Sequence, residues 1–358
     1  MRESPLARIL LAVFTALTVY ASLYPMEGWR DPGLSPFTYL NAPWPRHITR
    51  FDVAVNILGY IPYGFLAATA LQRRLSGVLA FMIATLSATA LALILEALQS
   101  YLPARFPSNL DALCNAGGAA IGAAAAVLYS PKMIAQGPLG RLRQTAFLPG
   151  GVIDLGLALM GLWLFTQLNP ATLLFGAGDL REFLGAREPR GQRPEFFITI
   201  EAVTAAANLT AAGLLFSSLA SAKSRVRMQL ALLIGAALLV KTAAFAILLR
   251  AEDTFAWLTS GAQIGLAVGV VVALLGVALP RGARLIAAAV LIMAATVLVN
   301  LAPPNPYLTA TLKVWQQGSF LNFNGLTRLV SALWPFAALG YLIYLAGSRP
   351  PETLDKRA

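Results

Sequence analysis

Apolar runs of about 20 residues recur along almost the whole chain, and they constrain the fold more than any other feature. A run of this length forms a helix that crosses the ~30 Å hydrocarbon core of a bilayer. The composition agrees, because 58% of the 358 residues are hydrophobic and only 12% are charged. The sequence therefore predicts an all-α, polytopic integral membrane protein, a bundle of about ten transmembrane helices.

The predicted spans fall into a group of four and a group of six. They are residues 5–24, 52–71, 77–100, 111–130, 150–168, 196–217, 228–249, 256–279, 283–301 and 327–347. The connection PKMIAQGPLGRLRQTAF separates the groups and is the longest basic one. The sequence thus predicts three parts, which are a four-helix domain over 1–131, a six-helix membrane region over 150–347 and a tail over 348–358.

The positions of lysine and arginine predict how the helices are oriented, because cytoplasmic connections are enriched in these residues. With the N-terminus inside, ten crossings place five basic groups in the cytoplasm. These are Arg73 and Arg74; Lys132, Arg141 and Arg143; Lys223, Arg225 and Arg227; Arg281 and Arg284; and Arg349, Lys356 and Arg357. Both termini are therefore predicted to be cytoplasmic.

Charge and residue usage exclude several classes of function. The net charge of +11 is spread over the predicted inner connections and forms no single stripe, so membrane lipids are the expected partner and nucleic acid is not. Cys114 is the only cysteine, which excludes an intramolecular disulfide and a cysteine metal site. His47 is the only histidine, which excludes a site needing two imidazoles. No metal site is predicted, and the sequence indicates neither a cofactor nor an oligomeric state.

Polar residues concentrate at the predicted outer end of the second, third and fourth spans. Each span contributes one acid and one amide to a single helix face, and the pairs are Asp52 and Asn56, Glu96 and Gln99, and Asp111 and Asn115. Arg105 lies in the turn between the third and fourth spans, and Ser108 or Asn109 is the expected N-cap of the fourth. The sequence therefore predicts that these side chains meet in one pocket.

Two interpretations of this cluster are open. Ionisable groups at membrane depth usually face a protein interior or a wet cavity, which favours a functional site. The candidate catalytic residues, as acid, base or cation ligands, are then Asp52, Glu96 and Asp111. The candidate binding residues are Asn56, Gln99, Arg105, Ser108 and Asn115, with the arginine as a clamp for phosphate. In the alternative interpretation, Asp111 is only an acid in the first turn of its helix. Asn56 and Asn115 then hold helices together, and Glu96 extends to the headgroups.

The same residues resemble the VanZ-like family in the stretches FDVAVNILGYIPYGFL and LEALQSYLPARFPSNLDALCNAGGAAIGA. The family pattern is an Asp, Asn and Pro-x-Gly helix, then E-x-x-Q, a P-x-R-x-P-S turn and D-x-x-x-N-x-x-G. The matching residues are Asp52, Asn56, Pro62 and Gly64; Glu96 and Gln99; Pro103, Arg105, Pro107 and Ser108; and Asp111, Asn115 and Gly118. The resemblance covers roughly residues 1–130, which identifies the predicted four-helix domain as VanZ-like, and leaves the six-helix region without an assigned type.

The resemblance implies a bacterial inner-membrane location and a role in the cell envelope. The family's namesake is associated with low-level resistance to the glycopeptide antibiotic teicoplanin, but the resemblance implies no particular reaction. Three functions are therefore open. The chain could act on an envelope lipid or lipid-linked glycan at the outer face of the membrane, it could be a transporter or flippase, or it could be a non-catalytic scaffold for envelope assembly. The sequence does not decide whether it is an enzyme.

The six-helix region offers weaker signals. Glu201 and Lys241 are intramembrane charges that could pair, either as a structural ion pair or on a translocation path. Residues 169–195 are predicted to be a long outer connection with balanced charge and a short amphipathic helix. No inverted repeat is visible between the halves, which disfavours a transporter.

Overall fold

The fold was analysed in a computed structural model that describes residues 5–45, 48–72, 74–129, 137–181, 193–221, 224–249, 251–306 and 321–347. Within these ranges the chain forms eleven α-helices and two short 3-10 helices, with no β-strand. It divides into two compact units, Met1–Arg143 and Gln144–Ala358. His47, the predicted tail over 348–358 and residues 307–320 lie outside the described ranges.

The first unit contains four long helices. They are α1 (Leu6–Leu23), α2 (Arg50–Leu71), α3 (Gly77–Gln99) and α4 (Asn109–Leu128), with a 3-10 helix at Thr38–Asn41 between the first two. A short helix, α5 (Pro138–Ala146), follows in the basic connection and spans the boundary between the units.

The second unit contains six helices. They are α6 (Gly151–Thr166), α7 (Pro194–Leu219), α8 (Val226–Leu248), α9 (Ser260–Gly276), α10 (Arg281–Leu301) and α11 (Leu321–Gly347), with a 3-10 helix at Ala251–Asp253. A helix therefore occupies each of the six predicted spans in this region.

The prediction of a polytopic all-helical membrane protein is confirmed for the described residues. Eight helices are long and apolar enough to cross a membrane. The other two predicted crossings, α6 and α9, have only 16 and 17 residues. Helix α6 ends early because the chain turns at Gln167–Asn169, and α9 starts late because the Thr259 hydroxyl caps the N–H of Ala262 at 3.1 Å. About ten membrane crossings were predicted, and eight of the described helices are long enough to make one.

Glycines bring α2 and α4 into close contact in the first unit. A Cβ added to Gly118 or Gly122 would overlap the backbone carbonyl of Ile57 or Ile61, respectively. A Cβ on Gly64 would likewise overlap the backbone of Ala119. The small-residue spacing on α4 thus lets the two backbones touch, which fixes the positions of the polar residues at the ends of these helices.

In the second unit, α7 is buried along most of its length and packs against α9 through small residues. A Cβ on Gly265 would meet Ala202 and Ala205 of α7. Trp163 of α6 stacks on Phe175 at 5.8 Å between ring centroids, although Phe175 belongs to no helix. The segment that contains Phe175 is therefore part of the core.

Candidate functional site

Ser108 connects the end of α3 to the start of α4. Its hydroxyl accepts the N–H of Asp111 at 3.3 Å and so caps α4. Its own N–H donates to Oε2 of Glu96 at 2.8 Å. Glu96 is only 4% exposed although it lies one turn from the end of α3. Of the two expected N-caps, the structure uses Ser108, because Asn109 instead donates to the carbonyl of Ala42 at 2.7 Å.

The two aspartates are bound by neutral groups. Asn56 of α2 donates to Oδ1 of Asp111 on α4 at 2.9 Å. Asp52 is exposed and accepts the hydroxyl of Thr49, the N-cap of α2, at 2.6 Å. Asp111 lies within electrostatic range of both Asp52 and Glu96. Within the described chain, none of the three carboxylates forms an ion pair.

Gln99 and Arg105 bind the end of α1. The amide of Gln99 donates to the carbonyl of Ser22 at 3.1 Å, and Nη2 of Arg105 donates to that of Ala21 at 2.9 Å. These carbonyls belong to the last turn of α1, where the helix supplies no partner for them. Burial lowers the pKa of the Arg105 guanidinium, while the nearby Glu96 raises it. Arg105 is therefore placed chiefly as a helix cap, and its Nε is buried without a partner among the described residues.

Asn115 lies one turn into α4 from Asp111 and is 6% exposed. Its carbonyl oxygen, Oδ1, is buried and has no hydrogen-bond partner in the described part of the chain. A buried polar group without a partner costs about 1–3 kcal/mol. A donor supplied by a ligand would remove this cost.

Residues before α2 cover the cluster, although the sequence pattern did not predict them as part of the site. Tyr39 is buried, and its hydroxyl donates to the carbonyl of Leu93 on α3 at 3.0 Å. Ser100 donates to the carbonyl of Pro36 at 3.1 Å. Burial raises the pKa of the Tyr39 phenol, and the nearby Glu96 raises it further. The stretch LSPFTYLNAPW carried the signal, since it offers aromatic and amide groups close to the acids in sequence.

The structure therefore brings Glu96, Asp111, Asn56, Ser108 and Asn115 together at one end of α2, α3 and α4. Asp52 lies at the exposed edge of this group. Among the described residues, no group of three or more His, Cys, Asp or Glu side chains is arranged to hold a metal ion. The cluster offers carboxylate and amide oxygens, which accept hydrogen bonds from hydroxyl and ammonium groups, and its carboxylates can also exchange protons with a ligand.

The predicted ion pair between Glu201 and Lys241 in the second unit is wrong. Nζ of Lys241 donates to the carbonyls of Asn169 and Thr172, both at 2.8 Å, and to the Thr172 hydroxyl at 3.3 Å. Glu201 lies within electrostatic range of the lysine but is not bonded to it. The backbone at 169–172 provides the oxygens that satisfy the ammonium group, a contact that sequence periodicity does not reveal.

Fold and site together define a multi-pass helical membrane protein with a carboxylate and amide cluster at one end of its first four helices. Residues 8–130 match the family model described as VanZ/LLP1. The chain thus carries a VanZ/LLP1 domain, as the sequence pattern predicted, and the match ends before α5. No curated protein and no solved structure matches the chain.

Proposed function

We propose that the protein binds an envelope lipid or a lipid-linked glycan at the outer face of the bacterial inner membrane, through the cluster in its VanZ-like domain. The family match and the membrane-spanning helices support a membrane protein of the cell envelope. The observation that carries the finer proposal is the buried Asn115 carbonyl, which has no partner in the described chain and lies one turn from Asp111.

The chemistry of the cluster suits a polyhydroxylated or amine-bearing headgroup. Glu96 accepts one backbone N–H and the Asp111 carboxylate accepts one side-chain amide N–H, so both carboxylates retain free lone pairs. Two coupled carboxylates at membrane depth can also hold and transfer a proton, which is what general acid–base chemistry on a sugar or phosphate ester requires. Arg105 acts in this proposal as a positioning residue for α1, and no longer as the anion clamp that the sequence suggested.

Binding of a lipid-linked disaccharide to the purified protein in nanodiscs tests this proposal. We expect Glu96→Gln and Asn115→Leu to weaken binding at least ten-fold. Glu27→Gln is the matched control, because Glu27 is an exposed acid of the same unit outside the cluster. Binding that is unchanged in both cluster variants would exclude a headgroup site in this position.

The proposal also requires the cluster to face outward, which thiol labelling can decide. On a Cys114→Ser background, an impermeant thiol reagent should label Phe106→Cys in intact cells, because Phe106 is 87% exposed in the turn before α4. Arg141→Cys, in the basic connection, should be protected. Labelling of residue 141 and protection of residue 106 would place the cluster on the cytoplasmic side and end the proposal.

A transporter or flippase is the second candidate, and one observation favours it. Residues 167–180 of the second unit are irregular yet largely buried, and backbone of this kind at membrane depth is typical of transport sites. A vesicle assay separates the candidates, since transfer of a labelled lipid to the protected leaflet supports transport and a modified product supports an enzyme. A scaffold that confers teicoplanin resistance would show neither, while its deletion would still change antibiotic sensitivity.

A further inference from the structure

The irregular segment at residues 167–181 is held in place by side chains of distant helices. Lys241 of α8 donates to the carbonyls of Asn169 and Thr172 in this segment. Asn300 of α10 accepts the N–H of Leu180 at 2.8 Å and donates to the carbonyl of Gly178 at 2.6 Å. Gly178 has a φ of +80°, and a Cβ there would meet Pro335 and Thr296 at 2.9 Å. The segment is thus fixed in a position that a regular helix could not occupy.

A narrow cleft lies between this segment, α7 and the end of α10. Apolar side chains form most of its wall, including Leu173, Ile200 and Val299. The charged residues that line it are Asp179, Arg181 and Glu201, so their formal charges sum to −1. Which of these charges is already neutralised decides what the cleft can bind.

Arg181 donates to protein oxygens through each of its three nitrogens. Its Nε and Nη2 donate to the two oxygens of Asp179 at 2.9 and 2.5 Å, and its Nη1 donates to the carbonyl of Ala302 at 3.2 Å. This bidentate geometry neutralises both partners. Arg181 and Asp179 therefore contribute shape and polarity to the cleft but no net charge.

Glu201 carries the remaining charge. It is 6% exposed, and the Thr259 hydroxyl lies close to its carboxylate. The first turn of α9 adjoins it, since a Cβ on Gly261 would lie 2.7 Å from its Oε2. The positive end of a helix dipole stabilises a carboxylate. Lys241 is in range, but all three of its N–H groups have oxygen acceptors.

We propose that this cleft is a binding site for a small organic ammonium ion with an apolar substituent. The ammonium group pairs with Glu201. Phe197 lies one turn earlier on the same face of α7 and also lines the cleft, and an aromatic ring attracts a cation while packing against its alkyl groups. The site shares no residue with the cluster in the VanZ-like domain and does not depend on the function proposed for it.

Comparing a cation with a neutral molecule of the same length tests the proposal. We expect n-hexylammonium to bind the purified full-length protein at least ten-fold more tightly than 1-hexanol in a calorimetric titration at constant ionic strength. Glu201→Gln, which keeps the shape and the Thr259 contact, should abolish this preference. Glu195→Gln is the matched control, because Glu195 is exposed on the same helix outside the cleft, and it should bind like the parent.

Two outcomes would overturn the proposal. Equal binding of both probes would show a merely apolar cavity, and a preference that survives Glu201→Gln would show that the carboxylate is not the recognition group. The source of the ammonium follows from a second arm in nanodiscs. If phosphatidylethanolamine lowers hexylammonium affinity in the parent relative to phosphatidylglycerol, and not in Glu201→Gln, the ligand is a lipid headgroup. Equal affinity in both lipids assigns a free amine.

Discussion

The two units bury charge in opposite ways. Lys241 in the second unit is completely buried, and its ammonium donates to three oxygens. Glu96 in the first unit is nearly as buried but accepts a single backbone N–H. A buried charge is costly unless it is paired and hydrogen-bonded. The two groups therefore differ in how completely they are hydrogen-bonded and not in how deeply they are buried, and we expect the less bonded one to be the group that is available to a ligand.

The largest expected loss of stability comes from replacing Lys241, whose ammonium group donates to three oxygens. Lys241→Met keeps the volume but removes the charged hydrogen bonds to the carbonyls of Asn169 and Thr172, and it leaves the second carbonyl without a donor among the described residues. We therefore expect a loss of about 3 kcal/mol of unfolding free energy. Thr172→Val keeps the two hydrogen bonds from the ammonium group to backbone carbonyls. It removes the Thr172 hydroxyl, which lies 3.3 Å from Lys241 and 3.0 Å from the Asn169 carbonyl, and should cost only about 1 kcal/mol. Thermal unfolding in detergent measures both. If Lys241→Met were as stable as the parent, the hydrogen bonds of Lys241 would not stabilise the fold, and the difference drawn between Lys241 and Glu96 would not hold.

The next effect concerns the α2 and α4 contact that positions the first cluster. Gly118→Ala places a methyl group on the carbonyl of Ile57, so we expect a loss of about 1–3 kcal/mol from overpacking. Gly117→Ala is the adjacent control, since nothing lies within 4 Å of its added Cβ, and it should be neutral or stabilise by up to about 1 kcal/mol. Equal effects of the two substitutions would argue against close packing of these helices.

A smaller effect is expected from Arg105→Ala. The substitution removes a charged hydrogen bond to the end of α1, which is worth about 1.5 kcal/mol. Arg105 forms no ion pair with Glu96 among the described residues and interacts with it only through space, so the stability losses of the double variant with Glu96→Gln should depart from additivity by less than about 1 kcal/mol. Recovery of stability in the double variant would mean that the two charges form a structural pair after all. Chemical denaturation of all three variants gives the comparison.

The smallest change in stability should accompany the largest change in function. Glu96→Gln keeps an acceptor for the N–H of Ser108 and removes a buried charge, so we expect unfolding free energy to stay within about 1 kcal/mol of the parent. Envelope sensitivity, including growth on teicoplanin, should be that of the deletion strain. A Glu96→Gln protein that is destabilised as much as Lys241→Met, or one that is fully active, would contradict a ligand role for this carboxylate.

Local patterns in the sequence predicted much of the first unit. Apolar runs located α2, α3 and α4, and the i, i+4 spacing put Asp111 and Asn115 on one face of α4. The partner of Arg105 could not be predicted, because Ala21 lies 84 residues away and a backbone carbonyl has no sequence signature. The acids near Arg105 in sequence favoured a salt bridge to this arginine. In the structure its guanidinium group instead donates to a carbonyl in the last turn of α1.

The second unit shows where local patterns fail. Residues 169–195 were predicted to be an outer connection with balanced charge and a short amphipathic helix, and residues 182–192 of this stretch lie outside the described ranges. The structure buries much of residues 169–181, since the side chains of Gln167, Lys241 and Asn300 replace the hydrogen bonds that water would provide. Each of these three residues is an isolated polar position in or next to an apolar helix. Only the tertiary fold shows that they act on one segment.

This arrangement has a consequence for the order in which the second unit is made. Lys241 follows Asn169 by 72 residues, and Asn300 follows Leu180 by 120, so the segment leaves the ribosome well before its partners. The N–H of Gly178 finds its acceptor only in α11, at the carbonyl of Ser331. Unsatisfied backbone is not stable in hydrocarbon, so the segment must wait at the aqueous surface or in the insertion machinery. Biogenesis of this unit therefore ends with the inward docking of a segment synthesised long before its last helix.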